Sequence, residues 1–390
     1  MSRRTVLAAA AVLAAALAAL ASAGGRHQST GASPRGWSSV VAGARGQTVR
    51  WWMYGGDERV NSYVDGVVKP AAAKLGVTLV RVPISDTADA VQRVVAERRA
   101  GKSSGGAVDL IWINGENFAA GKRAGLWLRA WARRLPNARY VDFRDPQVSR
   151  DLQVPIDGQE SPWSAAAFVF AYDAARVRRP PRTFAALLAW AKAHPGRFTY
   201  PAPPDFTGSA FVRQVVQRLG SRGRAMSYLK ELRRYQYQEG RVFPQSEAEL
   251  DQLFGNDQVD FAMSYDPNFI ASGVRKGQFA RTARPFLIGG GALVNDSYVT
   301  IARDAAHVDG ALVVANVLLD PQLQAIKADP RGLGIPTVLD LSRLNDRLRH
   351  LFIAAHRNPY LLASFGKQLP ELPAGEVGPI EQLWQREVLR

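Results

Sequence analysis

The chain has 390 residues, no cysteine and a formal net charge of +16. Without cysteine there are no disulfides, thiolate metal sites, cysteine nucleophiles or lipid-modified N-terminal cysteine, so stability must come from apolar cores. The length allows two of them. The arginines stand in scattered pairs (Arg98-Arg99, Arg133-Arg134, Arg178-Arg179, Arg233-Arg234) rather than in one tract. Solvated faces and attraction to an anionic membrane surface account for them, and no nucleic-acid partner is expected.

Ser2-Arg3-Arg4 supplies a basic start, Val6 to Leu20 an apolar run and Ala21-Ser22-Ala23 a small-x-small cleavage site. Residues 1–23 therefore read as a signal peptide. The run is short for a bilayer span, and no second long apolar segment follows it. The mature chain, with its charge reduced to +14 by loss of Arg3 and Arg4, is expected outside the cytoplasm with no membrane span. Ser2-Arg3-Arg4-Thr5-Val6-Leu7 also approximates a twin-arginine signal, but an ordinary secretory start explains the same residues and is the expected route. Residues 24–46, rich in Gly, Ser and Arg, read as a flexible leader with one short helix around Trp37 to Val41.

Regular alternation begins at Thr48. A strand over Thr48 to Tyr54 ends in Gly55-Gly56-Asp57, and a helix from about Glu58 is stopped by Gly76. Val77 to Ile84 is a second strand, and Asp86 caps a helix running to Ala100. Val108 to Ile113 is a third strand, stopping at Asn114-Gly115-Glu116-Asn117 before another helix. This order is that of a parallel sheet with crossover helices. After a Pro- and Asp-rich stretch, Ala165 to Tyr172 is strand-like, Thr183 caps a helix to Ala193, and Phe198 to Tyr200 is a short strand. Asp205-Phe206-Thr207-Gly208-Ser209 opens a helix to Leu219. More helix to about Tyr237 and another over Glu247 to Phe254 precede a strand from Val259 to Ser264, which stops at Tyr265-Asp266-Pro267-Asn268. Pro285 to Ile288 and Tyr298 to Ala302 flank a Gly289-Gly290-Gly291 interruption. The pattern makes two successive α/β units, joined near Trp163 to Tyr172 and again near Leu293 to Ile301; two crossings make a hinge, and a hinge makes a cleft.

Catalytic chemistry is not evident. The five histidines form no H-E-x-x-H, and no serine lies in a G-x-S-x-G elbow. Ala96 to Ser103 nearly matches a phosphate-binding loop but lacks the first Gly and ends a helix instead of following a strand. His194, in His-Pro-Gly, reads as a helix C-terminal cap residue. No catalytic residue, metal or cofactor is expected, although scattered carboxylates leave a secreted carboxylate-dependent hydrolase as an alternative. What recurs is polarity at strand ends and helix starts, where α/β proteins bind small ligands. The candidate ligand residues are Tyr54, Gly55, Asp57, Asn114, Glu116, Asn117, Trp163, Phe206, Thr207, Ser209, Tyr265 and Asp266. Each segment also reads as a capped turn, and Glu116 as a helix-start acid. Trp52 and Trp112, inside strands, read as core. The helix start at Thr207 to Ser209 could hold an anionic group; the carboxylates and aromatic rings favour a small polar organic solute, with a cationic, thiamine-like one the leading choice.

Trp51 to Asp57, Asp86 to Phe118, Glu160 to Tyr172 and Phe198 to Val212, with Asn-Gly-Glu-Asn-Phe and Pro-Asp-Phe-Thr-Gly-Ser as their most specific motifs, resemble the extracytoplasmic solute-binding proteins of ABC importers. The branch concerned is often labelled thiamine-type transport proteins. The resemblance implies the two-lobe type 2 periplasmic binding protein fold, with a double-crossover hinge and an interlobe ligand cleft. Lobe 1 would take residues 47–165 and 297–390, and lobe 2 residues 166–296. It also implies a monomeric, non-enzymatic periplasmic protein that closes on a small-molecule solute and docks transiently on an inner-membrane permease. A ligand-sensing module on the same fold is the remaining alternative.

Overall fold

The structure is a computed structural model that describes residues 36–113, 115–329, 331–352, 358–362 and 366–390. The expected signal peptide, the first part of the leader and Asn114 lie outside the described residues. Among the described residues no helix is long and apolar enough to cross a membrane. The chain divides into two compact units. Unit 1 takes the chain up to Ser164, Asp296–Ala328 and Pro336–Ala354; unit 2 takes Ala165–Asn295, Asp329–Ile335 and Ala355–Arg390.

Unit 1 begins with α1 (Trp37–Ala44), which packs on the later helix over Val308–Leu318 and buries Val40 and Ala44. The described end of the leader is thus part of the core; the apolar patch noted there has a helix to bury it against. β1 (Thr48–Tyr54) follows, with Val49, Trp51 and Met53 buried. Asp57 caps α2 (Glu58–Tyr63), which continues through a π-helical turn at Val64–Val68 into α3 (Lys69–Ala73). Gly76, at φ +82°, ends this run as only glycine does without strain. β2 (Thr78–Ile84) lies parallel to β1 at the edge of the sheet, so only part of it is buried. Asp86 caps α4 (Thr87–Arg99), whose last turn holds Ala96 to Arg99, the first half of the near-miss phosphate loop. β3 (Leu110–Ile113) is parallel to β1 and leads to α5 (Gly115–Arg123).

The hairpin β4 (Arg150–Asp151) and β5 (Val154–Pro155) precedes β6 (Glu160–Ala167), which carries the chain into unit 2. There β7 (Val169–Asp173) is central and antiparallel to both neighbours in the order β8-β7-β9. Around it lie α6 (Phe184–Ala193), α7 (Phe206–Leu219), α8 (Arg222–Arg233), α9 (Glu247–Gly255), β8 (Phe261–Ser264), α10 (Phe269–Arg275) and β9 (Ala283–Phe286). Their shared core contains Phe168, Phe170, Phe198, Phe211, Phe261 and Phe286. The expected strand at Phe198 to Tyr200 is not one. Its side chains are buried, but the backbone makes no ladder, and the Phe198 carbonyl accepts from the Tyr237 amide at 2.8 Å. His194 does end α6, its Nδ1 2.9 Å from the Trp190 carbonyl oxygen.

β10 (Leu293–Ile301) returns to unit 1. Its first residues pair with β11 (Leu369–Pro370) in unit 2, and Tyr298 to Ile301 run antiparallel to β3. α11 (Val308–Leu318), α12 (Pro321–Ala328) and α13 (Asp346–Arg349) belong to unit 1. The last helix, α14 (Ala374–Glu387), does not, contrary to the assignment of the whole C-terminal segment to the first lobe. α14 packs on α7 and α8, and buried Trp384 donates its indole N–H to the Tyr200 hydroxyl at 2.8 Å. An amphipathic helix goes where its apolar stripe finds a core, which chain order alone does not reveal.

Candidate functional site

In unit 1 the end of β1 is shaped by two glycines. Gly55 donates its N–H to the Ile84 carbonyl at 3.0 Å, and a Cβ on it would lie 2.7 Å from Pro83 Cβ. The Tyr54 ring lies over Gly56, where a Cβ would meet its hydroxyl at 2.2 Å. The ring nonetheless stays 48% exposed. Asp57 accepts from the Arg59 N–H at 2.9 Å and pairs with the Arg59 guanidinium at 3.0 Å, so its carboxylate holds the start of α2. Gly115, at φ +62°, is covered by Leu152, and its N–H donates to Asp151 at 2.6 Å. Glu116 is exposed in the first turn of α5, where an acid is favoured by the helix dipole, and Asn117 is half-buried.

Trp163 is in a different position from the one its sequence context suggests. It is 1% exposed and meets Trp51 and Trp112 edge to face, with ring centroids 5.6 and 5.0 Å away. Lys327 and Gln324 both donate to its carbonyl, Gln324 at 2.8 Å. Trp112, expected in the core, keeps partial exposure instead. Trp163 lies inside β6, not at a strand end, and is central to the packing of unit 1.

In unit 2 the candidates on α7 and after β8 come together. Asp205 caps α7, accepting from the Gly208 N–H at 2.8 Å and the Glu247 N–H at 3.3 Å. Gly208 is required there: a Cβ would stand 1.9 Å from the Pro201 carbonyl oxygen. Phe206, first residue of the helix, is 41% exposed and rests against Tyr265 (centroids 5.2 Å) and the Arg213 guanidinium (5.6 Å). Beneath it Thr207 and Ser209 are buried. The Thr207 hydroxyl donates to Glu247, and the Ser209 hydroxyl donates to Glu381 at 2.5 Å. Glu247 also accepts from the Ser264 hydroxyl at 2.7 Å, yet burial pushes its carboxyl up to about 7. Asp266 is half-buried and accepts from the Asn268 N–H at 2.8 Å.

Two parts of this site were missed from sequence. Glu371 binds the Arg213 guanidinium through two hydrogen bonds of 2.9 Å and accepts from the Tyr265 hydroxyl at 2.6 Å. Arg213 also donates to Ser209 at 2.7 Å. One carboxylate therefore pins both supports of the Phe206 ring. The signal was available in part: Arg213 interrupts the apolar run Ala210-Phe211-Val212 … Val215-Val216, and a buried arginine needs a buried acid. Glu247 opens a helix in the first turn, where an acid carries no signal of its own.

Residues 66–346, more than half of the chain, match the family described as bacterial extracellular solute-binding protein. Over 365 residues the chain is 38% identical to Protein YnjB of Escherichia coli (strain K12), covering 89% of this chain and 92% of that one. It resembles the solved substrate-binding protein of an ABC transporter from Agrobacterium tumefaciens, with a TM-score of 0.65 and 15% identity over 88% of this chain and 94% of that one. An ABC transporter substrate-binding protein from Bradyrhizobium japonicum is similar too, with a TM-score of 0.64 and 18% identity over 87% and 99%. These likenesses establish the α/β fold of the two-lobe type 2 periplasmic binding proteins. The chain belongs to the family of bacterial extracellular solute-binding proteins.

Proposed function

We propose that this protein is exported by the general secretory route to the periplasm and there captures a small polar organic solute for an ABC permease. The proposed solute carries a planar cationic group, the class to which thiamine belongs. The observation that carries the reading is the exposure of two rings. Among the described residues, Tyr54 and Phe206 are the only exposed aromatic side chains. One stands in each unit, and both lie in segments singled out as ligand-binding. Exposed rings held in place from behind suit stacking on a planar group, and Asp266, next to the Tyr265 that supports Phe206, favours positive charge. Closure on the solute and a monomeric state belong to the same proposal; small-angle scattering with and without solute tests both.

The decisive experiment is native mass spectrometry of protein freshly isolated from the periplasm, followed by binding of whatever small molecule accompanies it. Tyr54→Ala, Phe206→Ala, Tyr265→Ala and Asp266→Ala should each weaken that binding at least tenfold. If no solute accompanies the protein and no metabolite in a broad screen raises its melting temperature, the transport reading fails. If a solute binds all four variants as it binds the native protein, the site lies elsewhere.

A further inference from the structure

Glu160 opens β6, one of the two strands by which the chain passes between its units. Its side chain has no exposed surface, and neither carboxylate oxygen has a hydrogen-bond partner among the described residues. An ionised carboxylate in such a place loses its hydration with nothing in return, at a cost of several kcal/mol, whereas the neutral acid loses far less.

The charged and titratable neighbours reinforce the neutral form. From β4, Asp151 faces Glu160 and disfavours a second negative charge, its own carboxylate held by the Gly115 N–H at 2.6 Å. From β10 comes Tyr298, whose hydroxyl lies 3.1 Å from each of the Gln147, Val148 and Arg150 carbonyl oxygens. Asp145 and Asp296 also face that tyrosine, the Asp296 carboxyl itself pushed up to about 8 by burial. The cation acting on Glu160 is Lys122 of α5, but its ammonium is engaged with the Pro155 carbonyl and with Asp157 at 2.6 Å. Lys327 acts on Asp296 and donates to the Trp163 carbonyl. Burial, followed by Asp151, accordingly holds the Glu160 carboxyl well above the usual carboxylate range.

We propose that Glu160 is a proton-binding site of unit 1, loaded in the folded protein at neutral pH and emptied when the unit unfolds. One proton leaves to solvent for each molecule unfolded, and the carboxylate left behind is hydrated. The folded state thus binds more protons than the unfolded state between the ordinary glutamate value and the raised folded value. The unit is therefore stabilised less as pH rises toward the folded value. Because the site sits on a connecting strand, this proton is part of what keeps that connection in its folded form.

The test compares native protein with Glu160→Gln, which keeps the shape and cannot ionise. Unfolding constants for β6 and its hairpin are read by hydrogen exchange of residues 150–164 from pH 5 to pH 9. The ratio of native to variant constants should rise roughly tenfold per pH unit until Glu160 ionises in the folded state. Unfolding at pH 7 should release about one proton less from the variant, as expected for one titrating carboxyl. A ratio that does not change with pH overturns the proposal. So does stabilisation of the native protein, but not of the variant, by millimolar sodium, potassium, magnesium or calcium, since Glu160 would then be an ionised cation ligand. Should Glu160→Gln not fold, Glu160→Met takes its place. With native protein alone, a carboxyl signal of ¹³C-glutamate assigned to Glu160 must still report the protonated form at pH 7, and an ionised signal refutes it.

Discussion

Glu371→Ala is the substitution that probes the Phe206 platform most directly. Arg213 and Glu371 are each 2% exposed and joined by two hydrogen bonds, so the substitution takes this carboxylate from the buried guanidinium while its bond to the neutral Ser209 hydroxyl stays. Breaking one side of a buried pair costs about 3–5 kcal/mol, and the Tyr265 hydroxyl loses its acceptor as well. The loss is placed at about 4 kcal/mol, equivalent to roughly a thousandfold in an opening constant. Hydrogen exchange of the α7 amides is the suitable assay, because it reports the opening of unit 2 without requiring the whole chain to unfold in one step. The double variant Arg213→Met/Glu371→Leu removes both charges while filling the space, and its protection should return to within about tenfold of native. Less than tenfold loss in Glu371→Ala would show that the pair is solvated, and the account of how Phe206 is held would fall with it.

Four further outcomes follow from the same geometry. Burial pushes the Lys327 amine down to about 7, so the unfolded state binds more protons from there to the ordinary lysine value and native stability rises with pH across that range. Lys327→Met should therefore be more stable than native at pH 6 by a few kcal/mol at ~1.4 kcal/mol per pKa unit, with the gain shrinking toward pH 10 in urea titrations. Gly208→Ala must move the start of α7 away from the Pro201 carbonyl and should cost about 1–3 kcal/mol by the same exchange assay. Gly56→Ala displaces the Tyr54 ring rather than backbone, so solute affinity should fall while thermal stability stays within about 0.5 kcal/mol. Asp65→Asn removes a partner of Arg81 and Lys69 that holds this carboxyl down at about 2, but the pair is exposed and the loss should not exceed about 1 kcal/mol in a urea titration.

The βαβ order of unit 1 was legible because its signals are local. Asp57, Asp86, Thr183 and Asp205 all stand at helix starts and do cap them, and Gly76 ends its helix at positive φ. Segments of the site were legible for the same reason. Which side chain in each segment faces solvent was not. Trp163, inside β6, is enclosed by Trp51 and Trp112, while Phe206, one residue past its cap, stands out. Side-chain exposure depends on what the rest of the chain brings alongside. The partners came from far away in sequence: Glu371 is 158 residues from Arg213, and α14 reaches the second unit after the chain has returned to the first. Neither pairing leaves a periodic or spacing signal.

The caps also bear on the two ligand chemistries weighed from the sequence, and they support the proposed cation over an anion. A helix start attracts an anion when its N–H groups are unsatisfied. At α7 the Asp205 carboxylate takes the Gly208 N–H and its carbonyl takes the Ser209 N–H, while the Thr207 and Ser209 hydroxyls donate to Glu247 and Glu381. At α2 the Asp57 carboxylate does the same for Arg59 and Val60. A carboxylate or phosphate arriving at either place would meet a negative side chain already in possession of the donors. What each segment still presents outward is an aromatic face, Tyr54 over its glycine and Phe206 over Tyr265. Quadrupolar faces next to acids attract a planar cation and repel an anion. An anionic solute that binds native protein, and binds Phe206→Ala equally well, would defeat this reasoning at its first step.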